Sequence, residues 1–162
     1  MVGRVQSVAI IAEDNSDVDA IKIFVQRISR VSNISFRKKV GHGGGKVISK
    51  CLAWSNDLYS LGCDLLIVVH DQDSFEFTEL QRTIENRLSA SCFRNRIICI
   101  PTQELEAWFL GDPQSIKSFF KLKRLPKIAG HPESINSPKE FLREQVKRHS
   151  DGSARDMKES CV

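Results

Sequence analysis

The chain has 162 residues, of which 41% are hydrophobic and 27% charged, and its formal net charge at pH 7 is +4. This composition is typical of one globular domain and excludes a disordered or low-complexity chain. No apolar run approaches the roughly 20 residues of a membrane span, and no signal-peptide pattern is present, so we predict a cytoplasmic protein without membrane contact. The 5 cysteines, odd in number and without C-x-x-C spacing, argue against a zinc site or a disulfide framework.

Short apolar runs and amphipathic segments alternate along the first hundred residues. The apolar runs predict strands at residues 5–12, 34–40, 64–70 and 96–100, and the amphipathic segments predict helices at 17–29, 47–61 and 77–90. Ser16 and Asp19 have capping-box spacing at the start of the first helix. This alternation predicts an α/β fold, with a parallel sheet joined by right-handed crossovers.

The last third of the chain is less regular. Asp112-Pro113 predicts the start of a short helix to about residue 121, and Ser137-Pro138 predicts another to about residue 149, with Glu140 at capping-box spacing. Pro and Gly between these helices indicate a loop. We therefore predict an α/β domain at residues 1–115, extended within the same domain by helices and a polar tail at residues 116–162.

Two acidic clusters follow the two most apolar runs. Glu13 and Asp14 follow the first predicted strand, and Asp71 and Asp73 follow the third. Ligands of open parallel sheets bind beyond the carboxyl ends of the strands, where strand order reverses, and a strand order of 2-1-3-4 would bring both clusters there. Converging carboxylates repel each other unless a hard cation such as Mg²⁺ neutralises them, so the pattern predicts a metal site. The alternative is that these residues are solvated loop residues and helix caps.

Basic residues are concentrated in two stretches without Asp or Glu, residues 22–50 and 117–127. Such stretches suit a polyanion, so nucleic acid is the predicted partner, although a run of Lys and Arg is often only a solvated face. The glycine-rich segment 41–46 precedes a helix and predicts either a phosphate cradle or a hinge. The candidate phosphate contacts are Lys38, Lys39, Gly43, Gly44 and Lys46.

Two further residue types have competing interpretations. His70 could act as a general base, but a lone His more often makes a hydrogen bond at a strand end, and we favour that interpretation. Phe119 and Phe120 stand among lysines and could stack on bases. Such aromatic residues are more often part of the core, which is our prediction here.

Short motifs of the chain resemble those of Toprim domains. Glu13 to Ile21 resembles the first Toprim motif, and Asp71-Gln72-Asp73 resembles the second, Asp-x-Asp. Asp14 stands where the first motif usually has Gly. The segment from Ile100 to Asp112, which includes Glu106-Ala107-Trp108, is similar, together with the glycine-rich segment, to the Toprim-like bacterial family DUF4276.

This resemblance implies a Toprim/Rossmann-like four-stranded parallel sheet of order 2-1-3-4, flanked by helices. It also implies a Mg²⁺- or Mn²⁺-dependent nuclease of bacterial defence or genome maintenance, and it leaves room for a protein partner. Glu13 would be a general acid/base or metal ligand, and Asp71 and Asp73 would hold the cation. Only one of Glu104 and Glu106 could easily face the site, because residues two apart on a helix point away from each other. We choose Glu106 for a second metal position because it begins the family-like sequence Glu106-Ala107-Trp108. Alternatively, both simply favour a helix N-terminus.

Two other functions are compatible with the sequence. In a response-regulator receiver domain Asp71 would accept phosphate and Thr102 would follow the fourth strand. That hypothesis requires a Lys after a fifth strand, which the sequence does not indicate. The other alternative is a Toprim fold that binds nucleic acid without cleaving it.

Overall fold

The computed structural model describes residues 5–31 and 33–150 of the chain. Strands and helices alternate first: β1 (Ser7–Ala12), α1 (Asn15–Ser29), β2 (Ser35–Val40), α2 (Gly44–Ser60), β3 (Leu65–Val69), α3 (Phe77–Arg87) and β4 (Arg96–Cys99). Helices follow: α4 (Glu106–Leu110), α5 (Pro113–Phe119), a 3-10 helix (Pro132–Ser134) and α6 (Pro138–His149). No helix in the described part of the chain is long and apolar enough to cross a membrane.

The four strands form one parallel sheet of order β2-β1-β3-β4, which confirms the predicted α/β fold and strand order. β1 pairs with β2 on one side, with Ala9 opposite Arg37, and with β3 on the other, with Ile10 opposite Ile67. The two central strands are almost wholly buried, whereas every residue of the edge strands β2 and β4 is exposed or only partly buried. Continuous aliphatic runs are required only where both faces of a strand are covered, which is why β1 and β3 carry the two longest.

Helices cover both faces of the central strands. Ala9 and Ile11 of β1 belong to a buried cluster that includes residues of α2 and α3, and Leu66 and Val68 of β3 belong to the same cluster. α1 contacts β1 and β2 and buries Val18, Ala20 and Ile21. The arrangement is that of a doubly wound sheet, in which the switch point lies between β1 and β3.

The chain divides into two compact units. Unit 1 contains the sheet and helices α1 to α3 and runs to Ile100, except for the segment Asp71–Ser74. Unit 2 consists of Asp71–Ser74 and the described part of the chain from Pro101 onward. Unit 2 has a small core of its own, formed by Leu110, Ile116, Leu122 and Val146 together with partly buried neighbours. The predicted domain limits, 1–115 and 116–162, stay predictions.

The predicted capping box of α1 is wrong by two residues. Asp14 is the N-cap, its Oδ1 accepts the N–H groups of Ser16 (2.8 Å) and Asp17 (3.1 Å), and Asp17 Oδ2 accepts the N–H of Asp14 (3.1 Å). Asp19 instead pairs with Lys22 at 2.8 Å. Asp14 has an extended backbone (φ −138°, ψ −179°), which any residue adopts, so the Gly usual at this position of the Toprim motif is not required here.

We expect Asp14→Ala to lower the free energy of unfolding by about 1 kcal/mol, because two N–H groups in the first turn of α1 lose their acceptor. Asp14→Ser retains a capping oxygen, so its free energy of unfolding is expected to differ from that of the wild type by only a few tenths of a kcal/mol. Urea denaturation of the three proteins measures both differences. Equal midpoints for Asp14→Ala and wild type would show that the cap contributes nothing.

Candidate functional site at the carboxyl ends of the central strands

Glu13 and His70 lie together at the switch point of the sheet in unit 1. Glu13 is the first residue after β1, and His70 is the first after the neighbouring strand β3. His70 Nδ1 lies 3.3 Å from Glu13 Oε1, and the two side chains are 1% and 18% exposed. Glu13 is therefore not a solvated loop residue, as the alternative interpretation of the acidic clusters would have it. The imidazole of His70 therefore faces the carboxylate predicted to be catalytic.

The glycine-rich segment is attached to the end of β1. The N–H of Gly41 donates to the carbonyl of Ala12 (2.9 Å), and the N–H of His42 donates to the carbonyl of Glu13 (2.7 Å). His42 (φ 54°) and Gly43 (φ 129°) have positive φ angles, which turn the chain into α2. The helix therefore begins at Gly44, three residues before the predicted start at residue 47.

Gly44 approaches the Glu13–His70 pair so closely that no side chain fits. A Cβ atom at this position would lie 2.6 Å from His70 Nε2 and 3.0 Å from Glu13 Oε1. At the next position, Gly45, a Cβ would meet nothing within 4 Å. The two glycines therefore differ: only Gly44 is required by its surroundings, and the sequence contains no signal that separates them.

Asp71 and Asp73 belong to unit 2. Gln72 between them donates its N–H to the carbonyl of Pro101 at 2.8 Å, and Asp73 adopts a left-handed backbone conformation (φ 49°) that Asp tolerates better than most residues. Among residues 5–31 and 33–150, no three His, Cys, Asp or Glu side chains are grouped to hold a metal ion. Mg²⁺ is usually held by only one or two carboxylates plus water and substrate, so the donor chemistry still fits it. The predicted metal roles of Asp71 and Asp73 stay predictions.

Glu104 and Glu106 both contact Lys139, within unit 2. Glu104 Oε2 accepts the backbone N–H of Lys139 (2.9 Å), and Glu106 Oε1 lies 3.5 Å from the Lys139 ammonium. The helix rule by which only one of the two acids could face the site does not apply, because α4 begins at Glu106 and Glu104 precedes it. A metal ligand role for Glu106 would require its ion pair with Lys139 to open.

Glu104 takes the capping role that Ser137 was predicted to have. Ser137 is the N-cap of α6 but makes no side-chain capping hydrogen bond. The carboxylate of Glu104, from a segment far away in the sequence, accepts a first-turn N–H group instead. The side-chain part of the predicted Ser137 capping box is therefore wrong, although its place at the start of α6 is right.

We expect Glu104→Ala to lower the free energy of unfolding by about 1–2 kcal/mol, because the partly buried N–H of Lys139 loses a charged acceptor. Glu104→Gln keeps a carbonyl oxygen at the same reach, so it is expected to recover most of the difference. Chemical denaturation of the two variants and the wild type gives the values. If Glu104→Ala unfolds like the wild type, water replaces the carboxylate without loss.

The candidate phosphate contacts do not form one surface. Lys38 and Lys39 are successive residues of the edge strand β2, and successive side chains of a strand point to opposite faces. The Lys38 ammonium accordingly contacts Asn15 Oδ1 of α1 (2.6 Å), whereas that of Lys39 pairs with Asp57 Oδ2 of α2 (3.2 Å). Lys46 is exposed in the first turn of α2. A single phosphate chain can follow one of these faces but not both.

Two of the described cysteines have thiols that burial makes less acidic. Burial raises the pKa of the Cys51 and Cys99 thiols, so both are protonated at neutral pH and react slowly. Cys63 is buried, Cys92 is exposed, and all four are free thiols. Cys161 lies outside the described residues.

A family model described as Domain of unknown function (DUF4276) matches residues 13–159. No curated protein and no solved structure matches the chain. The matched range begins at Glu13 and includes the glycine-rich segment, the Asp71-Gln72-Asp73 motif and α4.

Proposed function

The chain belongs to the DUF4276 family, and we propose that it is a Mg²⁺- or Mn²⁺-dependent phosphodiesterase that cleaves nucleic acid. We further propose that it works in the cytoplasm, in bacterial defence or genome maintenance. One observation carries the proposal: a largely buried carboxylate, Glu13, stands at the switch point of a parallel sheet, 3.3 Å from a fully buried imidazole. Active sites of such sheets lie at this position.

Glu13 is the residue to which we assign proton transfer or cation binding. The contact with His70 and the close approach of Gly44 restrict the orientation of the Glu13 carboxylate before substrate arrives. Preorganised groups of this kind need little rearrangement during the reaction. Asp71, the next residue after His70 in the chain, and Asp73 are proposed as the further acidic ligands on the basis of the sequence motif.

A bound divalent cation would polarise the phosphoryl oxygen and lower the pKa of a coordinated water. The sequence motifs propose Glu13, Asp71 and Asp73 as its candidate ligands, and a Mg²⁺ ion needs only one or two of them. Glu106 supports a second cation less well, because Lys139 already supplies a positive charge 3.5 Å from its carboxylate. We therefore propose one resident cation rather than two.

The receiver-domain alternative lacks a structural element that it needs. Within residues 5–31 and 33–150 the sheet has four strands and ends at β4, so no fifth strand presents a Lys. The other alternative, a module that binds nucleic acid without cleaving it, is compatible with every feature described above. Only an assay for cleavage of the nucleic acid separates it from the proposed enzyme.

The test is incubation of the purified protein with end-labelled single- and double-stranded DNA and RNA, in Mg²⁺, in Mn²⁺ and in EDTA. We expect metal-dependent shortening of at least one polymer. Binding without shortening would support the non-catalytic module and overturn the proposed activity. Incubation with acetyl phosphate and Mg²⁺ provides a parallel measurement, because a receiver domain gains one phosphoryl group that mass spectrometry detects.

A further inference from the structure

Phe119 is an exposed aromatic side chain in unit 2, contrary to the prediction that it belongs to the core. It is the last residue of α5, and 78% of it is exposed. Phe120, by contrast, packs against the unit 2 core, as predicted. The two rings meet edge to face, with centroids 4.9 Å apart and an interplanar angle of 83°. Phe120 therefore supports the neighbouring ring while leaving a face of Phe119 in water.

The residues around Phe119 are basic. Lys117 precedes it, and Lys121, Lys123, Arg124 and Lys127 follow it, with no Asp or Glu between residues 112 and 133. All four of the basic residues that follow Phe119 are exposed. The chain after α5 is attached to the rest of unit 2, because Leu122 is buried. In addition, the N–H of Lys123 donates to the carbonyl of His149 at the end of α6 (3.1 Å). The charges therefore extend from an anchored segment.

Other exposed phenylalanines of the chain have different surroundings. Phe77 is 46% exposed in the first turn of α3, where Glu76 and Glu79 are its charged neighbours. An exposed ring beside acidic residues does not attract a polyanion, whereas an exposed ring among cations is the combination found on surfaces that bind unpaired nucleotides. Exposure alone therefore does not distinguish Phe119; its charge environment does.

We propose that Phe119 and the basic residues after it bind single-stranded nucleic acid. The face of Phe119 stacks on an unpaired base, and Lys121 and Arg124 contact the neighbouring phosphates. A base within a duplex is already stacked on both faces, so this surface favours single strands over duplexes. Every base has a π face, so the interaction does not depend on sequence. The inference deepens the proposed function, on which it rests for the choice of polymer, because it names single strands as the substrate class.

The test is fluorescence anisotropy of labelled single-stranded DNA and RNA of about 12 nucleotides, a length within the range that such surfaces cover. All measurements are made in EDTA, so that binding is recorded without cleavage. We expect Phe119→Ala to weaken binding by about 5- to 150-fold, Phe119→Leu to weaken it nearly as much, and Phe119→Trp to bind like the wild type. Leucine keeps an apolar side chain without a π face, so it separates stacking from simple apolar contact. Phe77→Ala is the matched control and is expected to leave affinity unchanged.

Two further measurements distinguish the roles of ring and charge. Arg124→Gln is expected to reduce the slope of log K against log salt by about one, whereas Phe119→Ala leaves the slope unchanged. Replacing the bases by abasic sites is expected to abolish the difference between Phe119→Ala and wild type. Thermal melts should be equal, because Phe119 is mostly in water.

The proposal is overturned if no single strand binds, if Phe119→Ala binds like the wild type, or if Phe119→Leu does. It is also overturned if a duplex binds as tightly as the single strand and responds equally to the Phe119 variants. Binding in EDTA is independent of turnover. A protein that binds through Phe119 but cleaves nothing therefore contradicts only the proposed activity, and one that cleaves without using Phe119 contradicts only this inference.

Discussion

Glu13→Gln is expected to reduce metal-dependent cleavage by about 100- to 10,000-fold, the range that a general acid/base contributes. The substitution removes the charge and the proton-accepting ability of the side chain but keeps its shape beside His70. Asp71→Asn and Asp73→Asn are expected to lose comparable activity if these residues hold the cation. Single-turnover cleavage of a labelled strand in Mn²⁺ measures all three rates.

The matched control is Glu144→Gln. Glu144 is 63% exposed and pairs with Arg148 one helical turn away in α6, so neutralising it removes one surface charge and little else. This variant should cleave at the wild-type rate. Wild-type turnover in all three acidic-site variants would refute the assignment of the site, while equal losses in the control would indicate a general effect of charge.

Gly44→Ala is expected to lower the free energy of unfolding by about 1–3 kcal/mol, the usual cost of forcing extra atoms into a packed site. The new Cβ would lie 2.6 Å from His70 Nε2, and His70 cannot yield easily because it is only 1% exposed. Either the imidazole or the start of α2 must move, and the contact between His70 and Glu13 moves with it. In thermal denaturation, the melting temperature should fall by about 2–4 °C for each kcal/mol lost in a chain of this size.

Gly45→Ala, one residue later in the same helix, provides the control. Its Cβ would meet nothing within 4 Å, and alanine is more favourable than glycine inside a helix by about 0.5–1 kcal/mol. The two variants are therefore expected to shift the melting midpoint in opposite directions. Similar shifts would mean that the helix start adjusts freely and that Gly44 places no restriction on the site. If the Glu13–His70 pair is catalytic, Gly44→Ala also loses turnover and Gly45→Ala does not.

Local sequence patterns were sufficient to predict the frame of unit 1. The aliphatic runs of β1 and β3 are long and uniform because these strands are buried on both faces, and that property is visible without neighbours. The strand order followed from the requirement that the two acidic clusters approach each other, together with the rule that ligands bind where strand order reverses. Helix boundaries were less accurate, since the cap of α1 is Asp14 rather than Ser16, and adjacent polar residues compete for that position.

The partners of individual polar side chains could not be read from the sequence. Glu104 caps a helix that begins 34 residues later, at Pro138, and Glu106 pairs with Lys139 of the same helix. Contacts across such separations depend on how the chain packs, and helix periodicity contains no information about them. The same reason applies to Lys38 and Lys39. Their adjacent positive charges in the sequence indicated one binding surface, but neighbouring residues of a strand point to opposite faces of the sheet.

By itself the sequence determined the α/β class, the strand order, the family and the position of Glu13 after a buried strand, because these depend on patterns of burial and on short motifs. Only the tertiary structure decided that Glu13 faces His70, that Gly44 rather than Gly45 has no room for a side chain, and that Phe119 is exposed while Phe120 is packed. The physical reason is that each of these properties belongs to a pair of neighbours in space. Neighbouring positions with the same residue type differ only when folding brings different atoms against them.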